Sequence, residues 1–88
     1  MQMSDNLSNL YENILSEIGE DAKREGLLET PGRAARAMQF FTSGYTLDLG
    51  TVTNNAVFEA ENDDIVVVKN IEIFSLCEHH MVPFFGVL

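Results

Sequence analysis

Residues 65–88 read IVVVKNIEIFSLCEHHMVPFFGVL, and the fold turns on how this stretch is paired. Ile65, Val66, Val67 and Val68 form an unbroken β-branched run, the pattern of a strand covered on both faces. Ile71, Ile73 and Ser75 then alternate against Glu72 and Phe74, the two-residue period of a strand with one covered face. Cys77-Glu78-His79-His80 follows, and MVPFFGVL starts another strand. Pro83 belongs at that strand's beginning, at an edge or at a bulge, because it has no N–H to give a ladder. Immediately upstream, AVFEA at 56–60 reads as a further strand, and Glu61-Asn62-Asp63-Asp64 as the hairpin turn between it and the Ile65 run.

The first half has a different period. Leu7, Leu10, Ile14 and Ile18 recur at spacings of three and four, with Tyr11 and Leu15 widening the stripe, which predicts an amphipathic helix. Ser4 or Asp5 caps it and Gly19 stops it. Its apolar stripe either covers the local core or docks across a subunit boundary. Gly26 marks the end of a short helical turn. Thr30-Pro31 predicts a second helix over 31–41, with threonine as N-cap and proline at the first position, where its missing N–H costs nothing. Ala34, Ala37, Met38 and Phe41 form the expected apolar face, and Ser43-Gly44 ends the helix. Residues 43–55 are punctuated by Gly44, Gly50 and Asn54-Asn55, and at that length a short helical turn is expected inside. Helices followed by strands predict an α+β fold.

Composition excludes several classes. A chain of 88 residues is one domain or a piece of one. Its net charge of -9, from 5 basic and 14 acidic side chains, argues against nucleic acid, which needs a basic patch, and against anionic membrane surfaces. Cys77 is the single cysteine, so no intrachain disulfide is available, and a reducing, cytoplasmic setting is expected. No signal peptide or apolar span is apparent. The end on Gly86-Val87-Leu88 leaves an apolar strand with no closing turn. It predicts a chain that is truncated, pairs with another, or lacks a native remainder.

Cys77-Glu78-His79-His80 is the cluster that carries chemistry. A thiolate and an imidazole are both good zinc ligands, and a Cys-x-x-His spacing brings them to one ion if the chain turns between them. A catalytic zinc needs at least one more protein ligand, and no other cysteine or histidine is present. Two readings stay open on spacing alone: half of a zinc site, or a core cysteine beside two polar histidines. If the cluster continues the strand, His79 and His80 face opposite ways, so that one ligates and the other handles protons. Glu78 is an orienting or solvated carboxylate.

Read together, EGLLETPGRAARAM (25–38), FTSGY (41–45), NNAVFEA (54–60) and VVVKNIEIFSLCEHHMVPFFG (66–86) resemble, in that order, the GTP cyclohydrolase I family. The resemblance runs from about Asp21 to Gly86, and SLCEHHMVPFFG is its most specific part. It implies an N-terminal helical region over 1–50 and, over 51–88, the first strands of an antiparallel T-fold catalytic domain, cut short here. It implies an enzyme that hydrolytically opens the imidazole ring of GTP and releases formate. The product is 7,8-dihydroneopterin triphosphate, at the entry to tetrahydrofolate and other pterins. It implies zinc as cofactor, held by Cys77 and His80, with His79 as the catalytic histidine that relays protons, and a homo-oligomer, in the family a decamer. Thr30, Pro31 and Arg33 match the family's TPxR, with Gly32 where a basic residue is common. The third zinc ligand, the guanine-recognising glutamate and the triphosphate-binding basic residues of the family lie beyond residue 88. These residues alone are therefore expected to be inactive. The alternative is a short, non-catalytic relative that binds or regulates a full-length cyclohydrolase.

Overall fold

The computed structural model describes residues 3–59 and 64–88. The chain forms two compact units, Met1–Phe40 and Phe41–Leu88. The first is helical. Helix α1 spans Met3–Glu17 and ends where the sequence signals it. Gly19 takes φ +92°, the Glu20 N–H donates to the Leu15 carbonyl at 2.9 Å, and the Gly19 N–H donates to Ser16 at 3.1 Å. This paired six-to-one and five-to-two arrangement is the Schellman motif. Lys23 reaches back along the chain to Glu12 at 2.9 Å.

A 3-10 turn, Glu25–Leu27, contains Gly26 rather than ending before it. Helix α2 spans Thr30–Phe41, against an expected start at Pro31. The Arg33 N–H donates to the Glu29 carbonyl at 3.1 Å, so Glu29 holds the cap position expected of Thr30. Thr30 and Pro31 both lie in the first turn, where proline's missing donor still has no intrahelical partner to lose. The expected face is covered at Ala34 and Phe41 as well as Met38, and two further residues lie deeper. Pro31 and Ala35 are its buried residues, Met38 is half-buried and Ala37 exposed. Starting from Pro31, the steps of four and three run through Ala35 and Met38 and leave Ala37 on the outer side.

The second unit opens with a 3-10 turn, Ser43–Thr46, and the expected short helix, α3, at Leu49–Thr53. Asp48 caps α3, its carboxylate accepting from the Thr51 N–H. Asn54 and Asn55, at φ 54° and 53°, turn the chain out of it. The unit's sheet is a two-stranded antiparallel ladder, β1 Glu72–Leu76 and β2 Pro83–Val87. The register pairs Phe74 with Phe85 and Leu76 with Pro83, so proline begins its strand, one of the three positions open to it. Phe74 stacks on Phe85 at 6.4 Å and meets Phe41 edge-on at 6.5 Å. Helices followed by an antiparallel ladder make this an α+β chain, in agreement with the opening of an incomplete T-fold.

Two expected strands are not formed. Residues 56–59 and 64–69 carry no ladder, and Ile65 and Val66 are 90% and 85% exposed rather than covered. A strand exists only against a partner, and among the described residues only β1 and β2 supply one to each other. The turn expected at 61–64 lies, except for Asp64, outside the described residues. Among the described residues no helix is long and apolar enough to cross a membrane.

Candidate metal centre

The β1–β2 register carries the cluster. One step past Leu76 and Pro83, the Cys77 N–H donates to the Val82 carbonyl at 3.0 Å, which closes the ladder. Residues 78–81 are then a four-residue loop, and the Met81 N–H folds back to the Cys77 carbonyl at 3.0 Å. Met81 has φ 56°, in the left-handed region that side chains with a Cβ seldom occupy. The loop therefore turns tightly enough to bring backbone donors back over the cysteine.

Two of those donors reach sulfur. The His80 N–H donates to Cys77 Sγ at 3.3 Å and the Val82 N–H at 3.4 Å. Cys77 is half-buried and free of any disulfide. The Val82 amide first, and the His80 amide second, hold its thiol below the ordinary range, against a smaller upward push from burial. Hydrogen bonds that favour the charged form favour the thiolate, which is the form that binds metal.

The histidines do not sit as an extended strand would place them. Glu78, His79 and His80 form a turn, so strand alternation does not separate the two rings. Their centroids are 6.2 Å apart with planes tilted by 42°, and both side chains are exposed. The reason is the closed Cys77–Val82 pair: a four-residue loop between paired positions must reverse direction. The cluster thus brings Cys77 and His80 together in one turn, with His79 beside them and Glu78 exposed at its start.

The donor set fits zinc as two of its ligands: one sulfur disposed toward thiolate and one imidazole three residues on. No group of three or more His, Cys, Asp or Glu side chains suited to a metal ion occurs among the described residues. A separate cleft of about 320 Å³, lined by Phe41–Tyr45 and Phe74–Leu76, borders the ladder but includes none of Cys77, His79 or His80. The sequence reading missed the part played by the Val82 amide and the Met81 backbone. The signal was available in the four residues between Cys77 and Val82, which allow the pair to close around a hairpin loop.

The family model described as GTP cyclohydrolase I matches residues 7–88. The chain is 57% identical over 84 residues to a GTP cyclohydrolase 1 of Pseudoalteromonas atlantica, covering 96% of this chain and 46% of that protein. It is 57% identical over 84 residues to GTP cyclohydrolase 1 2 of Pseudomonas putida, covering 96% and 45%. To the Homo sapiens GTP cyclohydrolase 1 it is 54% identical over 81 residues, covering 92% and 32%. The chain spans less than half the length of these curated relatives.

Proposed function

The chain belongs to the GTP cyclohydrolase I family, and from that premise we propose that it is the N-terminal portion of an enzyme that hydrolytically opens the imidazole ring of GTP. Formate leaves, and 7,8-dihydroneopterin triphosphate is the product. In this reading residues 51–88 contribute the first strands of the catalytic domain, and Cys77 and His80 are two zinc ligands. The third ligand and the residues that hold guanine and triphosphate come from sequence outside these 88 residues. The working form is a cytoplasmic homo-oligomer with no nucleic-acid or membrane partner.

The observation that carries the reading is the cradle around Cys77 Sγ, built from the amides of Val82 and His80. A cysteine whose sulfur accepts from two backbone amides, with an imidazole three residues on, suits a nitrogen–sulfur zinc site. When bound there, zinc supplies Lewis acidity that makes water a competent nucleophile near neutral pH. His79 lies next to the ligands on an exposed turn, where its ring nitrogens can give a proton to the purine nitrogen as the C–N bond breaks. The Cys77–Val82 pair joins this turn directly to the ends of β1 and β2.

The test is made in the full-length protein. GTP turnover is followed by formate release, alongside zinc content, for wild type and for Cys77→Ala. Wild type is expected to hold zinc and release formate, and the variant to lose both. Undiminished formate release by Cys77→Ala would overturn the assignment.

A further inference from the structure

Resting on the zinc reading above, we propose that Met81 is a positioning residue of the centre, acting through its left-handed backbone to turn the His80 and Val82 amides onto the Cys77 sulfur. Three observations carry this. Met81 has φ 56°, which places it among the few residues with a Cβ that leave the ordinary regions. Its side chain is 63% exposed, so burial of the side chain is not what fixes the conformation. Its N–H donates to the Cys77 carbonyl at 3.0 Å, while the next residue closes the ladder through the Cys77 N–H and the Val82 carbonyl at 3.0 Å.

These bonds overdetermine the turn. The chain must leave the helical turn at 78–80 and re-enter β2 in register at Val82 within one residue, and a left-handed residue makes that reversal. An ordinary extended or helical φ at 81 swings Val82 out of its pairing with Cys77. The same rotation carries the Val82 amide away from Sγ, where it stands at 3.4 Å, and releases the His80 amide at 3.3 Å. The sulfur then loses both backbone donors that fix its place in the turn. Met81 therefore sets where the two amides stand over the sulfur, and its backbone matters more than its side chain.

The prediction separates backbone from side chain. Glycine and asparagine accept φ near +60° readily, leucine resembles methionine, and valine is the poorest of the set because it is β-branched. The experiment uses the full-length protein with cobalt(II) in place of zinc, reading the thiolate-to-cobalt charge-transfer band, and measures zinc affinity by competition with a chelator. Met81→Gly and Met81→Asn are expected to bind zinc at least as tightly as wild type, with the band unchanged, and Met81→Leu to match wild type. Met81→Val is expected to weaken zinc roughly tenfold and to shift or lower the band.

Loss of zinc by Met81→Gly and Met81→Asn with retention by Met81→Leu overturns the proposal, since the side chain would then be what counts. So does a Met81→Val protein indistinguishable from wild type. If Met81→Val does not fold, the comparison of glycine and asparagine with leucine still decides between the two. Absence of a charge-transfer band in wild type, with zinc retained by Cys77→Ala, instead overturns the zinc reading itself, and the role of Met81 with it.

Discussion

A sulfur that accepts from two backbone amides and an imidazole three residues later do different work in one turn, and single substitutions pull those roles apart. Cys77→Ala removes the sulfur on which the Val82 and His80 amides converge, and His80→Ala removes an imidazole while leaving its amide in place. In the full-length protein either change is expected to abolish stoichiometric zinc, measured by metal analysis of the purified protein. His79→Ala removes no ligand under this assignment. It is expected to keep zinc and to lower formate release by about 10²- to 10⁴-fold, the usual contribution of a positioned proton donor. Loss of zinc in His79→Ala would reassign the two histidines. The same scale governs Gly19, whose φ of +92° sits where a Cβ would meet nothing within 4 Å. Any penalty for Gly19→Ala is therefore backbone strain and not a clash, and about 1–2 kcal/mol is expected, read from urea melts. Gly19→Asn should cost less, because asparagine tolerates this end of a helix.

At the scale of elements, the short α3 depends on its ends. Five residues are too few to sustain a helix by their own bonds, so the Asp48 cap matters: its carboxylate takes the Thr51 N–H at 3.0 Å and the Thr51 hydroxyl at 3.2 Å. Asp48→Ala is expected to cost about 1 kcal/mol and to speed hydrogen exchange at the Thr51 amide, while Asp48→Asn keeps most of the protection. Local chemistry of this kind was legible in the sequence: Gly19 stops α1, Asn54-Asn55 turns the chain after α3, and Pro83 opens β2. Helix α2 was legible in place and, apart from Ala37, in its covered face, since Ala34, Met38 and Phe41 are half-buried; the deepest residues, Pro31 and Ala35, were not read, and the cap falls at Glu29 rather than Thr30. The site was legible in its residue types, Cys77 and His80 above all, but not in its shape. A strand continued through His79 and His80 was one reading and a turn between Cys77 and His80 the other. The closure of Cys77 on Val82, which decides for the turn, depends on the register in which β1 and β2 pair, and residue types alone do not state that register. Strands at 56–60 and 65–68 were read from β-branched content, which measures fitness for a covered pleated surface and cannot supply the covering partner.

That missing partner is the dominant fact for the molecule as a whole. Among the described residues Pro31 and Ala35 alone are buried, while Ile65, Val66, Val67 and Val68 are 90%, 85%, 68% and 67% exposed. Burying four such side chains is worth roughly 6–12 kcal/mol, comparable to the whole stability of about 5–15 kcal/mol that a folded domain possesses. The curated relatives are more than twice the length of this chain, and under the function proposed above this run is expected to be covered in the full-length protein. The 88-residue chain prepared alone is accordingly expected to bind an apolar fluorescent dye strongly, to associate further as salt is raised, and to release no formate from GTP even with zinc supplied. Placing lysine at Val66 and Val68 should reduce the association, since charge on an unpaired strand opposes edge-to-edge pairing, whereas the same pair of changes in the full-length protein should lower its stability by several kcal/mol by burying charge. If the isolated chain were monomeric and dark to the dye, the Ile65–Val68 run would not be a surface awaiting a partner. Zinc-dependent formate release by that same chain would mean that these 88 residues, singly or as copies, complete the catalytic site after all.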